Sequence, residues 1–201
     1  VILPTNITSI GDAAFFGCYS LTSIDIPTGV TSVGENAFRS CPLASVYIAD
    51  ISSWCNIEFY SSYSNPLYHG GKFYLNDKEL SELVIPDNVN QIKKNAFYGY
   101  KGLVKVIIGT GVTSIGENAF SGCSSLVSIE IPDGVTSIGS GTFSGCSSLV
   151  SIDIPDGVTS IEAYTFHSCS SLTSASIPAG ISSIGKYAFC ECSSLTSISI
   201  P

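Results

Sequence analysis

Charge is scarce in this chain and basic charge scarcer still: 12% of its 201 residues are charged, with 8 Lys plus Arg against 16 Asp plus Glu and a net charge of -8. A balance of that sign repels phosphate backbones and anionic headgroups, which excludes DNA and RNA as expected partners. No run approaches the roughly 18 to 20 apolar residues of a membrane helix, and no basic-then-apolar leader opens the sequence, so membrane insertion of this stretch is not expected. Histidine occurs only at His69 and His167, and the many serines recur at repeat positions. No nucleophile, base and orienting group can be assembled from them. The glycines show neither GxGxxG nor GxxxxGKS spacing, so no phosphate cradle, no cofactor and no enzymatic activity are expected.

What is present is apolar and periodic. Hydrophobic residues make up 44% of the chain, enough for a sizeable core. Phe recurs at 15, 38, 97, 120, 143, 166 and 189, every gap being 23 except one of 59. Val or Ile precedes each of these by eight residues, and Ile or Val by five. Leu126-x-x-Ile129-x-Ile131 alternates with period 2, which predicts one half-buried strand per repeat, ended by Pro132-Asp133-Gly134. Glu117 to Cys123 is too short to be a stable helix alone, and a single helical or 3₁₀ turn is expected there. No unit of 23 residues covers its own apolar face, so coils must stack. The fold predicted is an α/β solenoid: a right-handed leucine-rich-repeat superhelix with a parallel sheet on the concave face and short helical turns elsewhere.

These residues resemble the BspA-like leucine-rich-repeat family, whose unit IPxGVTSIGxxAFxGCxSL stands almost verbatim from Ile131 to Leu149 and from Ile154 to Leu172. The resemblance covers nearly the whole chain. It implies a bacterial surface or secreted protein of adhesin type, hence an extracellular location and a protein or glycan of a host or neighbouring cell as partner. A structural spacer without its own ligand is the alternative. The chain opens on Val1-Ile2-Leu3-Pro4 and closes on Ile198-Ser199-Ile200-Pro201 at the same phase of the repeat, as if cut from something longer.

Residues 1–201 are expected to form one domain, interrupted at about 49–82, because the strand positions Ile48 and Ile85 are 37 residues apart where one repeat would give 23. The interruption holds Trp54, four of the ten tyrosines and His69, and Asn76-Asp77 marks a hairpin turn. Such aromatics serve either a binding surface, through Trp54, Tyr68 and His69, or a local core replacing the missing Phe. The family often carries a similar segment, matched here by Ser53 to Phe59, Asn65 to Leu67 and Gly70 to Asp77.

Cys18, Cys41, Cys123, Cys146, Cys169 and Cys192 each follow a repeat Phe by three, with Tyr100 in the same column. Side chains related by translation are poorly placed for the right-angled torsion of a disulfide, so a ladder of buried thiols is expected. Cys55 and Cys190 stand off the column. Neither histidine has ligand-type spacing to Cys190-Glu191-Cys192, and no metal site is expected. Asp133 and Asp156 form an acidic column at the turns, read as a solvated face.

The outward strand positions form a central column, Ile2, Asp25, Tyr47, Val84, Ile107, Glu130, Asp153, Ser176 and Ser199, beside a second column that includes Lys105. The candidate binding residues on this face are Asp25, Tyr47, Val84, Lys105, Ile107, Glu130 and Asp153.

Overall fold

The computed structural model describes residues 1–198; Ser199, Ile200 and Pro201 lie outside the described residues. The chain is the expected leucine-rich-repeat solenoid, wound from parallel strands with few helices. One hydrophobic core runs from Ile10 to Ala188, through the interruption.

Each regular coil carries two strands rather than the one expected. The longer track contains Ser23–Ile26, Ser45–Ile48, Glu82–Ile85, Lys105–Ile108, Ser128–Glu130, Ser151–Asp153 and Ser174–Ser176. In Ser23–Ile26 the pattern follows the pleat: Ile24 and Ile26 are buried, and Asp25 points out. A second track of two-residue strands comprises Ser9–Ile10, Ser32–Val33, Glu58–Phe59, Gln91–Ile92, Ser114–Ile115, Ser137–Ile138, Ser160–Ile161 and Ser183–Ile184. Except for Glu58–Phe59 in the interruption, these end on the Ile or Val five before each Phe, positions legible in the sequence although their brief pairing with adjacent coils was not. From Glu82 onward the register is a pure repeat translation, as in Ser114↔Ser137 and Ile115↔Ile138.

The segment around each Phe is a chain of β-turns, not a helical turn. Asn118 and Gly122 take φ of 54° and 75°, a left-handed conformation that no right-handed helix can pass through and that Asn and Gly tolerate best. Within the coil, Ala119 N donates to Gly116 O, Ser121 N to Asn118 O and Cys123 N to Phe120 O, at 3.1–3.2 Å. The alternate amides, Asn118, Phe120 and Gly122, donate to Ser140 O, Thr142 O and Ser144 O of the next coil. Every donor is thereby satisfied without a helix. The phenylalanines stack across this ladder, with Phe120 5.9 Å from Phe143 and Phe143 5.6 Å from Phe166, within 10° of parallel.

All eight cysteines are free thiols. Those of the column do more than fill space: Cys123, Cys146 and Cys169 donate from Sγ to the Phe carbonyl of the preceding coil, Phe97, Phe120 and Phe143, at 3.2–3.3 Å. Burial pushes these thiols up, Cys169 to about 12, so the reactive thiolate is suppressed at neutral pH. The melting temperature is therefore expected to be the same with and without reductant. Cys146→Ala should fold and lose about 1–2 kcal/mol, for one buried sulfur and its hydrogen bond. A large drop on adding reductant would show cross-links instead.

Candidate functional site

The interruption builds part of the face it was expected only to border. Lys72–Leu75 adds a parallel strand beside Ser45–Ile48, with Tyr47 opposite Tyr74, and Lys78–Glu79 folds back antiparallel on it. The hairpin turn falls at Asn76 and Asp77, both left-handed, with φ of 48° and 64°. Ile48 consequently pairs with Leu75, while Ile85 pairs with Ile108. The central column thus includes Tyr74, and Tyr47 and Val84 are not on neighbouring strands as the 48-to-85 equivalence implied. The alternation of Phe73 and Leu75 was the signal for this strand.

On this column Tyr47 and Tyr74 stack at 4.7 Å and 13°. Val84 is 60% exposed and stands opposite Ile107, which is half-buried. Lys105 Nζ lies 2.8 Å from Glu130 Oε1, so these two expected contact residues neutralise each other. Asp25 and Asp153 are exposed on separate strands, Asp25 opposite Tyr47 and Asp153 opposite Ser176.

Trp54 departs from its expected contact role. It lies on the single α-helix of the described residues, Ile51–Cys55, which Asp50 caps by accepting from Ser53 N at 2.6 Å. Trp54 is only 1% exposed, packs on Phe59 and Phe73, and donates from Nε1 to Ala96 O at 2.8 Å. In a coil without a repeat Phe, the indole supplies buried aromatic area against Phe59 and Phe73. Asn65, also buried, fastens the same segment by donating to Asn95 O and Ala96 O and accepting from Leu67 N.

Tyr68 and His69 stay at the surface, ring against ring at 5.0 Å. Tyr68 stacks on Tyr98 at 5.8 Å and leans on Tyr63 at 4.5 Å, and Arg39 lies over the Tyr63 ring. Hydrogen bonding with Tyr63 and then burial push the Tyr68 phenol up to about 12. Tyr98 also walls an open groove of about 620 Å³ along the turn edge, with Tyr60 beside it, Tyr164 three coils on, and Ser121, Gly141 and Ser144 as its floor. The columns flanking each Phe pointed to this groove, since Ser121 and Ser144 stand where Tyr98 and His167 do in other coils.

The contact of Ser168 with His167 and Glu191 does not have the order of a catalytic triad. Ser168 Oγ sits between His167 Nδ1 at 2.9 Å and Glu191 Oε2 at 2.6 Å, so the serine occupies the middle place that the imidazole would need. Asp133 and Asp156 belong to no cluster: among the described residues, the one group of three metal-ligating side chains is His167, Cys190 and Glu191, within 4.8 Å of one another. The expectation of no metal site rested on spacing along the chain, and stacking brings residues a full repeat apart into contact range. No helix among the described residues is long and apolar enough to cross a membrane.

Comparison with known proteins agrees with this geometry. A leucine-rich cell-surface protein from Faecalibacterium prausnitzii A2-165 is 28% identical, with a TM-score of 0.74 over 99% of this chain and 59% of that one. A T. pallidum leucine-rich-repeat protein is 27% identical, with a TM-score of 0.57 over 98% of this chain and 78% of its own. One from Bacteroides ovatus ATCC 8483 is 29% identical, with a TM-score of 0.50 over 98% and 60%. The chain thus spans little more than half of the F. prausnitzii protein. No curated protein sequence matches it significantly. The model of the BspA-type leucine-rich-repeat region matches residues 1–67 and 69–196 in six copies, and with two tracks of strands, a Phe stack and a thiol ladder all in its register, the chain belongs to that family.

Proposed function

We propose that this chain is a non-catalytic recognition module of a bacterial cell-surface or secreted protein, and that it holds a protein or glycan of a host or neighbouring cell. The observation that carries this reading is the apolar content of the outward column. Val84 is exposed, and its neighbour Ile107 and the stacked pair Tyr47 and Tyr74 are half-buried, so part of the apolar area on these strands stays open to solvent. Rigid aromatic and aliphatic groups on a fixed sheet supply binding free energy at low entropic cost. Asp25, Glu130, Asp153 and the ion-paired Lys105 form its polar surround, and Tyr68 and His69 add a second aromatic surface on the turn edge. The family and the F. prausnitzii cell-surface protein support the location.

The test is surface plasmon resonance of the chain against immobilised matrix proteins and glycans. Tyr47→Ala combined with Ile107→Ser is expected to weaken whatever binding is found by about 30-fold or more, the effect of losing roughly 2 kcal/mol. Its melting temperature should stay nearly that of the parent. A double variant that binds normally moves the site to the turn-edge groove or to the acidic turn column of Asp133 and Asp156, and a parent chain that binds nothing favours the spacer.

A further inference from the structure

His167 and Cys190 occupy the same column on adjacent coils, immediately after Phe166 and Phe189. Elsewhere this column carries Phe16, Arg39, Tyr98, Ser121 and Ser144, so only here do two metal-ligating side chains stack at the coil spacing of about 4.8 Å. Glu191 follows Cys190, and its left-handed backbone, with φ of 62°, holds it beside the pair. The imidazole nitrogen, the thiol sulfur and a carboxylate oxygen all lie within 4.8 Å of one another.

A second observation concerns orientation. Ser168 Oγ is hydrogen-bonded both to Glu191 Oε2 at 2.6 Å and to His167 Nδ1 at 2.9 Å. The hydroxyl has one proton, and an ionised carboxylate can only accept, so that proton goes to Glu191 and Nδ1–H of His167 donates to the serine. His167 is thereby held in the tautomer whose Nε2 lone pair is free, and the second oxygen of Glu191 is free too. A ring N–H tied to an oxygen acceptor is how metal-ligating histidines are oriented. Tyr164, 5.7 Å away at 62°, packs against the same imidazole.

We propose that His167 Nε2, Cys190 Sγ and Glu191 form a zinc site that staples two successive coils, with water as the fourth ligand. One thiolate, one imidazole and one carboxylate suit a borderline-soft ion and not Ca²⁺ or Mg²⁺, which take oxygen shells. Donor atoms around tetrahedral zinc stand roughly 3.3–3.8 Å apart, so binding draws the three side chains closer than the 4.8 Å within which one donor atom of each now lies. On binding, Cys190 releases its thiol proton to solvent. The dipositive ion, the thiolate and the carboxylate then sum to a neutral centre.

The experiment is a cobalt titration of the reduced chain, with zinc as competitor. Expected are one ion per chain, a thiolate-to-cobalt charge-transfer band in the near ultraviolet, and its loss when zinc is added. Cys190→Ser should abolish that band, His167→Gln should weaken zinc binding at least tenfold, and Ser168→Ala should weaken it about tenfold by freeing the ring. Cys192→Ser, a control one residue away from Glu191, should keep the band. All four variants should retain the parent circular dichroism, since His167, Ser168, Cys190 and Cys192 lie outside the fully buried core. Absence of a thiolate band in the parent chain, or a band that survives Cys190→Ser, overturns the site.

Discussion

Phe143→Ala is expected to destabilise the protein by about 3–5 kcal/mol, the cost of emptying a fully buried aromatic slot. Phe143 is completely enclosed, stacked between Phe120 and Phe166. Its amide donates to Thr165 O, and its carbonyl accepts from Cys146 N and Cys169 Sγ. The ring therefore holds in place the peptide units through which two neighbouring coils are joined. Because a solenoid coil is stabilised only by those adjacent to it, the loss should spread along the stack. Chemical denaturation gives the free energy and hydrogen exchange its extent, with the amides of Phe120 and Gly145, which bond to neighbouring coils, losing protection alongside Phe143. Protection lost at Phe143 alone would mean that the coils are independent.

Trp54→Ala should cost a similar 3–5 kcal/mol, although the residue lies in the irregular segment. The indole touches Phe59 and Phe73, and Phe73 in turn meets Phe97, so Trp54 belongs to an aromatic cluster that continues into the Phe column resuming at Phe97. Truncation leaves a void and not an orphaned acceptor, because Ala96 O keeps the Asn65 amide at 2.9 Å. Trp54 is the only tryptophan, so its fluorescence reports this position directly. The native emission should be blue-shifted and resistant to acrylamide, turning red on unfolding. Ready quenching in the native protein, or a Trp54→Ala variant that melts with the parent, would place the indole at the surface.

Both expectations show where the sequence could be read and where it could not. Phe, Val, Ile and Cys at intervals of 23 are one side chain translated, and translation alone specifies stacking, register and burial. Periodicity does not reveal the turn around Asn118 and Gly122, because it reports which side chains point inward and not the sign of φ; Asn and Gly on either side of Ala-Phe are the local clue. Within residues 49–82 there is no translation to follow. The division of aromatics between core, as for Trp54, and surface, as for Tyr68 and His69, depends on contacts with Ala96 and Tyr98 some 30 to 42 residues away. The pairing of His167 with Cys190 was hidden for the opposite reason. It obeys the repeat, but ligand motifs are sought over a few residues and here the spacing is 23.

Tyr100 stands where the other coils have cysteine, and it is buried, with its hydroxyl donating to Leu80 O of the interrupting segment. A cysteine there would be too short to reach that carbonyl. The regular coils are interchangeable: recombination between the Phe120 and Phe143 coils would lengthen or shorten the stack by whole units while preserving every kind of contact. The interruption is not interchangeable, since it is matched to the single coil that follows it. A crossover between Leu80 and Tyr100 would part the two and leave a buried acceptor without its donor. The segment and its tyrosine must therefore be inherited as one block, while the number of coils around them is free to drift.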